Sequence, residues 1–474
     1  MVSPLESYLE SYRQRRGTPW LNSHQTTNRF EAAFERRYGQ LSQLSNPPVA
    51  MLAERSPALF LASFLAACAA KCPIFLANPG WPTQEWEAAV SLAQPNVIWR
   101  EGEAILSPER CAPEQGHDAD LTPPGWIMIP TGGTSGRLKF AIHTWETLSA
   151  SVWGFCQYFA PDASPDVINA CCTLPLYHVS GLMQFMRCWL SGGQMVIQPW
   201  RSLTRPLAFA PETYFLSLVP SQLQELLTSP TAIIALKRFR AVLLGGAPAW
   251  PSLLDQGRSL GIPLAPTYGM TETASQVATL KPEQFLTGQT GCGLPLPHAK
   301  ITIGGGNSDA LGEPGLQVGP IAIAAQSLYL GYYPHASRSA RIETDDLGYL
   351  DAEGLHIVGR RSDMIISGGE NIFPAEVEAA IRATGLVEDV VVTGAADPRW
   401  GETPVALYVP RRALDARLPE AIRAALSPYL SRYKYPSRWI SLSHLPRTPQ
   451  GKLDRAALRK IAGVRGSNSR LEKR

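Results

Sequence analysis

The run Thr131-Gly132-Gly133-Thr134-Ser135-Gly136-Arg137-Leu138-Lys139 gathers glycines, hydroxyls and a terminal cation in one short stretch. Glycines let a backbone come close to a bulky anion, and exposed N–H and O–H groups donate to phosphate oxygens. Lys139 adds a mobile positive charge. Apolar Ile127-Met128-Ile129 leads into the run, which therefore reads as a loop leaving a buried strand. It is not a Walker loop, because Gly136 is followed by Arg137 and not by Lys-Ser/Thr. A second cluster, Thr267-Tyr268-Gly269-Met270-Thr271-Glu272-Thr273, follows the short apolar run Ile262-Pro263-Leu264. Tyr268 can stack on a purine, Thr271 can reach a phosphate, and Glu272 can bind Mg²⁺ through hard oxygens. A third, Pro175-Leu176-Tyr177-His178-Val179-Ser180-Gly181-Leu182, is followed by Arg187. A strand end that delivers His178 and Ser180 suits recognition of an aromatic acid. Arg187 suits a carboxylate, although a helix arginine reaching to the surface and a core histidine fit the same residues.

These side chains need a scaffold, and the hydrophobic pattern supplies one. The apolar runs 167–174, 194–197, 214–219 and 241–244 read as buried strands, and 144–159, 221–227 and 251–260 as helices between them. Such alternation predicts an α/β fold of mainly parallel sheets covered by helices. Beyond Pro295 the texture changes to Gly-rich turns with short alternating strands at 300–303, 320–324 and 355–358, which predicts a small β subdomain. A compact α+β unit follows, with helices at 374–384 and 419–426 and strands at 387–393 and 403–409. The polar turn 359–363 is the expected boundary, giving an N-terminal domain at 1–360 and a C-terminal domain at 361–474.

Composition agrees with an enzyme of more than one domain. The chain has 474 residues, 45% hydrophobic and 18% charged, with a net charge of +3. That length exceeds one ordinary core, and interspersed charge of both signs gives no support for nucleic-acid or anionic-membrane binding. The apolar stretch 58–70 ends at Lys71, too short to span a bilayer, so it reads as a buried helix and no membrane insertion is expected. Acidic Glu6 and Glu10 and the lack of a cleavable apolar core argue against a secretory signal. The cysteines at 68, 72, 111, 156, 171, 172, 188 and 292 lack paired metal-ligand spacing and read as buried thiols in a reducing, cytoplasmic compartment. The basic tail 465–474 reads as a solvated end. An oligomer of identical chains is left open.

The phosphate-type run resembles the Thr-Ser-Gly-Thr-Thr-Gly-x-Pro-Lys loop of adenylate-forming enzymes, with Gly132 where that family usually has Ser and Leu138 where it has Pro. Four further segments match in the same order. They are 267–273, Thr344-Asp345-Asp346-Leu347-Gly348-Tyr349 (Asp345 in place of Gly), 359–372, and Pro449-Gln450-Gly451-Lys452-Leu453. The resemblance covers the chain after about residue 25. It implies ATP contacts at Thr131, Gly132, Gly133, Thr134, Ser135, Gly136, Lys139, Gly246, Ala247, Tyr268, Gly269, Asp346 and Arg360. In that reading Asp346 grips the ribose hydroxyls, and Arg360 assists the phosphate or ribose. Glu272 with Mg²⁺ screens the phosphates beside Thr271, and Lys452 bridges the acid and the α-phosphate. Arg361–Ser362 is the implied hinge, with Gly368 and Gly369 presented to the pantetheine of CoA.

Within that family, the 175–182 segment with Arg187 is similar to Pro-Leu-x-His-(Val/Ile)-Ser-Gly-Leu…Arg of o-succinylbenzoate–CoA ligases of menaquinone and phylloquinone synthesis. Thr271-Glu272-Thr273-Ala274-Ser275-Gln276 and 365–372 look like the same group. The implied partners are small molecules: ATP, an aromatic acid and CoA. An acid with two carboxylates needs donors for the one that is not activated, and His178, Ser180, Arg187, Ser275 and Gln276 are the candidates. Another aryl-CoA ligase, a benzoate-type enzyme and a stand-alone adenylation domain that loads a carrier protein fit the same motifs. A Ser180/His178 hydrolase lacks a Gly-x-Ser-x-Gly elbow, and a regulator without chemistry has no use for Lys452, Glu272 and Asp346.

Overall fold

The structure, a computed structural model, describes residues 4–106, 122–132, 138–159, 167–305, 317–411, 417–448 and 453–463. Four sheets organise it. The first has eight strands in the order His335–Ala336, Gly331–Tyr332, Leu138–His143, Ile127–Gly132, Ile74–Leu76, Ala50–Leu52, Val97–Arg100 and Glu103–Leu106. The second has seven, in the order Leu294–Pro295, Ser275–Thr279, Leu264–Met270, Ala241–Leu244, Tyr214–Leu218, Asn169–Cys172 and Met195–Ile197.

Parallel pairing runs from Ile127–Gly132 to Val97–Arg100 in one sheet and from Leu264–Met270 to the edge strand Met195–Ile197 in the other. The two sheets are mainly parallel and covered by helices, as expected, and their remaining strands pair antiparallel. The reason is local. Phosphate-type and Glu272-type turns connect neighbouring strands directly, and a short connection forces an antiparallel pair.

Helices fill the space between the two sheets. The helix Pro57–Ala69 is buried from Ala58 to its end, as its apolar run predicts, and starts with Pro at its first position. With Trp145–Phe159 and Val179–Ser191 it packs against Ala50, Leu52, Ile74 and Leu76 on one side and Ala170, Cys172 and Met195 on the other. Val179–Ser191 stops at Gly192, whose φ of +85° supplies the left-handed cap. The outer face of the seven-stranded sheet is covered by Pro220–Leu226, Pro230–Leu236 and Pro251–Ser259.

A four-stranded antiparallel sheet follows, Ala299–Ile303, Gly319–Ala325, Ile342–Leu350 and Leu355–Arg360. Its last strand ends at Arg360, and the C-terminal sheet begins at Ile365–Ser367. That last sheet adds Glu370–Ile372, Gly401–Pro410, Val387–Asp397 and Arg438–Ser441, packed on Pro374–Ala383 and Leu418–Ala425. Among the described residues no helix is long and apolar enough to cross a membrane. The described cysteines are free, and Cys68, Cys72, Cys171, Cys172 and Cys188 are buried; Cys111 lies outside the described residues.

Candidate functional site

The Gly/Ser/Thr run starts and ends on a hairpin. Thr131 pairs with Lys139 and Gly132 with Leu138 across antiparallel strands. Gly133, Thr134, Ser135 and Gly136 lie outside the described residues. Lys139 places its ammonium 5.1 Å from the Tyr332 ring centre. The Tyr332 hydroxyl donates to Glu272 Oε1 at 2.6 Å, and the Tyr329 amide donates to the Glu272 carbonyl at 2.9 Å. Burial and then the Glu272 charge push the Tyr332 hydroxyl's pKa upward, so it stays a donor. The turn Thr271–Thr273 is also fixed from behind by His143, whose Nε2 donates to the Thr271 carbonyl at 2.7 Å. Burial holds His143 down to about 4, so the ring is neutral at pH 7.

A single held carboxylate with a neighbouring hydroxyl, Glu272 and Thr271, fits Mg²⁺, which binds through one or two carboxylates together with substrate phosphates. The described residues hold no group of three or more acidic, His or Cys side chains that would make a cage by themselves.

Asp346 sits at the centre of the second cluster. It is buried on the Ile342–Leu350 strand, and accepts from the Tyr268 hydroxyl at 2.8 Å and from Arg360 Nε at 2.9 Å. Burial first and Asp346 second raise the pKa of Tyr268, so its hydroxyl remains a donor. Neighbouring Asp345 points elsewhere: it accepts from Ser362 Oγ and lies 3.8 Å from Arg361 Nε. The alternation of a strand explains the split, since successive side chains take opposite faces. Gly246 and Ala247 form the exposed turn after Ala241–Leu244, with Gly246 at φ +79°. Gly269 lies at a bulge against Ser275, where a Cβ would fall 2.1 Å from the Ser275 carbonyl oxygen.

On the acid side, Arg187 is 3% exposed. Its Nη2 donates to Ser275 Oγ at 2.9 Å and Gln276 Oε1 at 3.2 Å, and its guanidinium lies 4.1 Å from the Phe155 ring centre. The surface alternative for Arg187 is thereby excluded. No carboxylate pairs with it among the described residues, and its Nε is buried without a partner. Burial lowers it to about 10, still a cation at neutral pH. The structure thus unites Arg187, Ser275 and Gln276. It does not bring Ser180 to them: Ser180 is exposed at the first turn of Val179–Ser191, with His178 at the N-cap and its ring centre 4.7 Å from that of Tyr177, tilted by 54°. Two and a half turns separate His178 from Arg187, roughly 13 Å along the axis.

Several contributors had no sequence signal: His143, Tyr332, Phe155, and His298 with its buried ring nitrogens. A histidine or tyrosine in an apolar setting reads as core until its neighbours are known.

A cleft of about 1240 Å³ is lined by Leu174, Pro175 and Tyr177 on one side and by His444, Arg447 and Thr448 on the other. Arg447 pairs with Leu453, so the segment carrying Lys452 is tied at both flanks, while 449–452 lie outside the described residues. Gly368 and Gly369 occupy the turn between Ile365–Ser367 and Glu370–Ile372 at φ +59° and +90°, with Gly368 against Trp400.

Residues 40–333 match the model of the AMP-binding enzymes. The chain belongs to this family. Residues 376–452 match the C-terminal domain of the AMP-binding enzymes. Among curated AMP-binding enzymes, a 2-succinylbenzoate–CoA ligase of Geobacillus kaustophilus is 35% identical over 72% of this chain and 70% of its own length. The corresponding ligase of Bacillus velezensis is 32% identical over 82% and 78%. Among solved structures, the Bacillus subtilis o-succinylbenzoate CoA synthetase in complex with its acyl-adenylate intermediate superposes with a TM-score of 0.76 at 25% identity, covering 96% of this chain and 97% of that one. The same synthetase with ATP and magnesium gives 0.75 at 26%, covering 96% and 99%.

Proposed function

We propose that this AMP-binding enzyme is an ATP-dependent ligase that joins o-succinylbenzoate to CoA in quinone synthesis, releasing AMP and pyrophosphate. The observation that carries the substrate assignment is Arg187: a cation 3% exposed, braced by Phe155, Ser275 and Gln276, with no carboxylate of its own among the described residues. A buried cation without an anion is costly, and an acid with a second carboxylate supplies that anion on binding. The names of the relatives point to the same acid.

In the first half-reaction a carboxylate oxygen attacks the α-phosphorus and pyrophosphate leaves. In the second the CoA sulfur attacks the acyl carbon and AMP leaves. Asp346, held by Tyr268 and Arg360, accepts from the ribose hydroxyls. Lys139 and the 131–136 run take the phosphates, with Gly246, Ala247 and Gly269 along the nucleotide. Glu272 would hold Mg²⁺, which would lower the charge of the phosphates. Lys452 bridges the two anions in the first half-reaction only. The boundary falls at 360/361, and the C-terminal domain turns about Arg361–Ser362 to bring Gly368 and Gly369 to the pantetheine. Such a reaction suits the cytoplasm, where ATP and CoA are present.

The test is thioester formation from o-succinylbenzoate, benzoate and a fatty acid, each with ATP, Mg²⁺ and either CoA or a carrier-protein thiol. The diacid with CoA is expected to be preferred on the order of a hundredfold in kcat/KM, since an unfilled cationic pocket penalises a monoacid. Equal use of benzoate sinks the acid assignment, and preference for the carrier thiol sinks the CoA assignment.

A further inference from the structure

Arg187 is not the only buried polar side chain left unsatisfied on the acid side. Both ring nitrogens of His298 are buried without a hydrogen-bond partner. His298 precedes the Ala299–Ile303 strand, and its carbonyl accepts from the Gln326 amide at 3.3 Å. Its ring enters the Trp145–Phe159 helix where that helix has Gly154: a Cβ there would fall 1.9 Å from His298 Nδ1. Glycine in mid-helix is unfavourable, so its presence here is explained by the imidazole it admits. The next residue is Phe155, the ring beneath the Arg187 guanidinium. The arginine and the histidine therefore meet that helix at consecutive residues. The Arg187 charge is felt at the imidazole, after burial the second cause that holds it near 4 and keeps it neutral.

A phenylalanine or leucine would fill the same space without stranding two nitrogens. The chemistry of the pair also matches one ligand. Arg187 spends Nη2 on Ser275 and Gln276 and keeps Nε. A carboxylate has two oxygens, and Nε serves one. A neutral imidazole brings one N–H for the other and adds no second positive charge beside Arg187.

We propose that His298 is a specificity-determining residue, donating beside Arg187 to the carboxylate that is not activated and thereby setting the preference for a diacid over a monoacid. This rests on the reading of Arg187 given above. The full-length enzyme is assayed with o-succinylbenzoate and with the analogue in which hydrogen replaces that carboxylate, for the wild type, Arg187→Ala, His298→Leu and His298→Gln. His298→Leu is expected to raise KM for the diacid about tenfold, the worth of one hydrogen bond to a charged group, and to leave kcat, KM for ATP and the analogue's kcat/KM within about twofold. His298→Gln, whose amide also donates, is expected to restore most of the loss. If Arg187→Ala raises KM for the diacid and His298→Leu does not, the role of His298 is overturned and Arg187 stands. If the wild type does not use the diacid, or Arg187→Ala leaves its KM unchanged, both readings fall. Equal loss of diacid and analogue in His298→Leu, unrelieved in His298→Gln, makes the residue a packing element and overturns the proposal.

Discussion

Asp346 carries the nucleotide argument at the scale of single residues. Two donors already hold its carboxylate, so it is fixed before any ribose arrives. Asp346→Ala is expected to weaken ATP binding by roughly 1.5–3 kcal/mol in calorimetry, the worth of hydrogen bonds to a charged acceptor. Asp345→Ala is expected to leave ATP affinity unchanged, because that carboxylate is engaged by Ser362 and Arg361; a loss as large as that of Asp346→Ala would reverse the two roles. His143 gives a pH dependence. Its folded value is near 4 against an ordinary 6.5, so between those values the unfolded chain binds the extra proton. Its contribution to stability is therefore constant above about pH 6.5 and falls as pH drops toward 4, by on the order of 3 kcal/mol in all. Urea unfolding of His143→Asn should show a shallower decline between pH 7 and pH 5 than the wild type; parallel curves would show that the ring is not the group responsible.

At the scale of elements, the site is made by close approaches that only glycine permits. Gly269 lets the Leu264–Met270 strand bulge against Ser275–Thr279, which sets Tyr268 toward Asp346 on one strand and Ser275 and Gln276 toward Arg187 on the other. The atom that an added methyl would meet is backbone, the Ser275 carbonyl oxygen at 2.1 Å, so no rotamer change relieves it. Gly269→Ala is expected to cost about 1–3 kcal/mol of stability, as overpacking does. Because the bulge serves both clusters, KM should rise for ATP and for the acid together. An increase for only one substrate would show that the two strands adjust independently. Gly181 plays a similar part at the start of Val179–Ser191, where a Cβ would meet the Pro175 carbonyl oxygen at 2.2 Å and force His178 and its turn away.

At the scale of the whole molecule, the two parts of the chain meet through specific contacts. Arg382 lies over the Trp250 ring at 4.7 Å, and Gln224 donates to the Glu388 carbonyl at 3.3 Å. The turn after Arg360 ties forward and back, with Arg361 and Ser362 on Asp345 and Asp363 on Arg455 and Arg459. These ion pairs are partly exposed, and such pairs are individually weak, which suits the proposed turn of the C-terminal domain. Lys452→Ala is expected to abolish acyl-adenylate formation in pyrophosphate exchange while conversion of supplied acyl-adenylate and CoA keeps most of its rate. Equal loss of both half-reactions would end the argument that the C-terminal domain withdraws this lysine between them.

The sequence by itself determined the elements and the order of the chemical groups. Runs such as 58–70 and 241–244 are apolar over a length that suits one element only, and Gly, Pro and hydroxyl residues at their ends mark the turns. The glycine-rich run, Glu272 and Asp346 were legible because each is a charge or hydroxyl in a local pattern with few structural uses. What only the tertiary structure decided were the partnerships between residues far apart in the chain. Asp346 and Asp345 are neighbours of one residue type, and the strand's alternation alone separates the one that meets Tyr268 and Arg360 from the one that meets Arg361 and Ser362. Arg187 read equally well as surface or site until packing placed it over Phe155, and His298 has no local signal at all. Periodicity reports which face of an element is buried; what that face meets is set by sheet order and helix placement, which no short window of sequence contains.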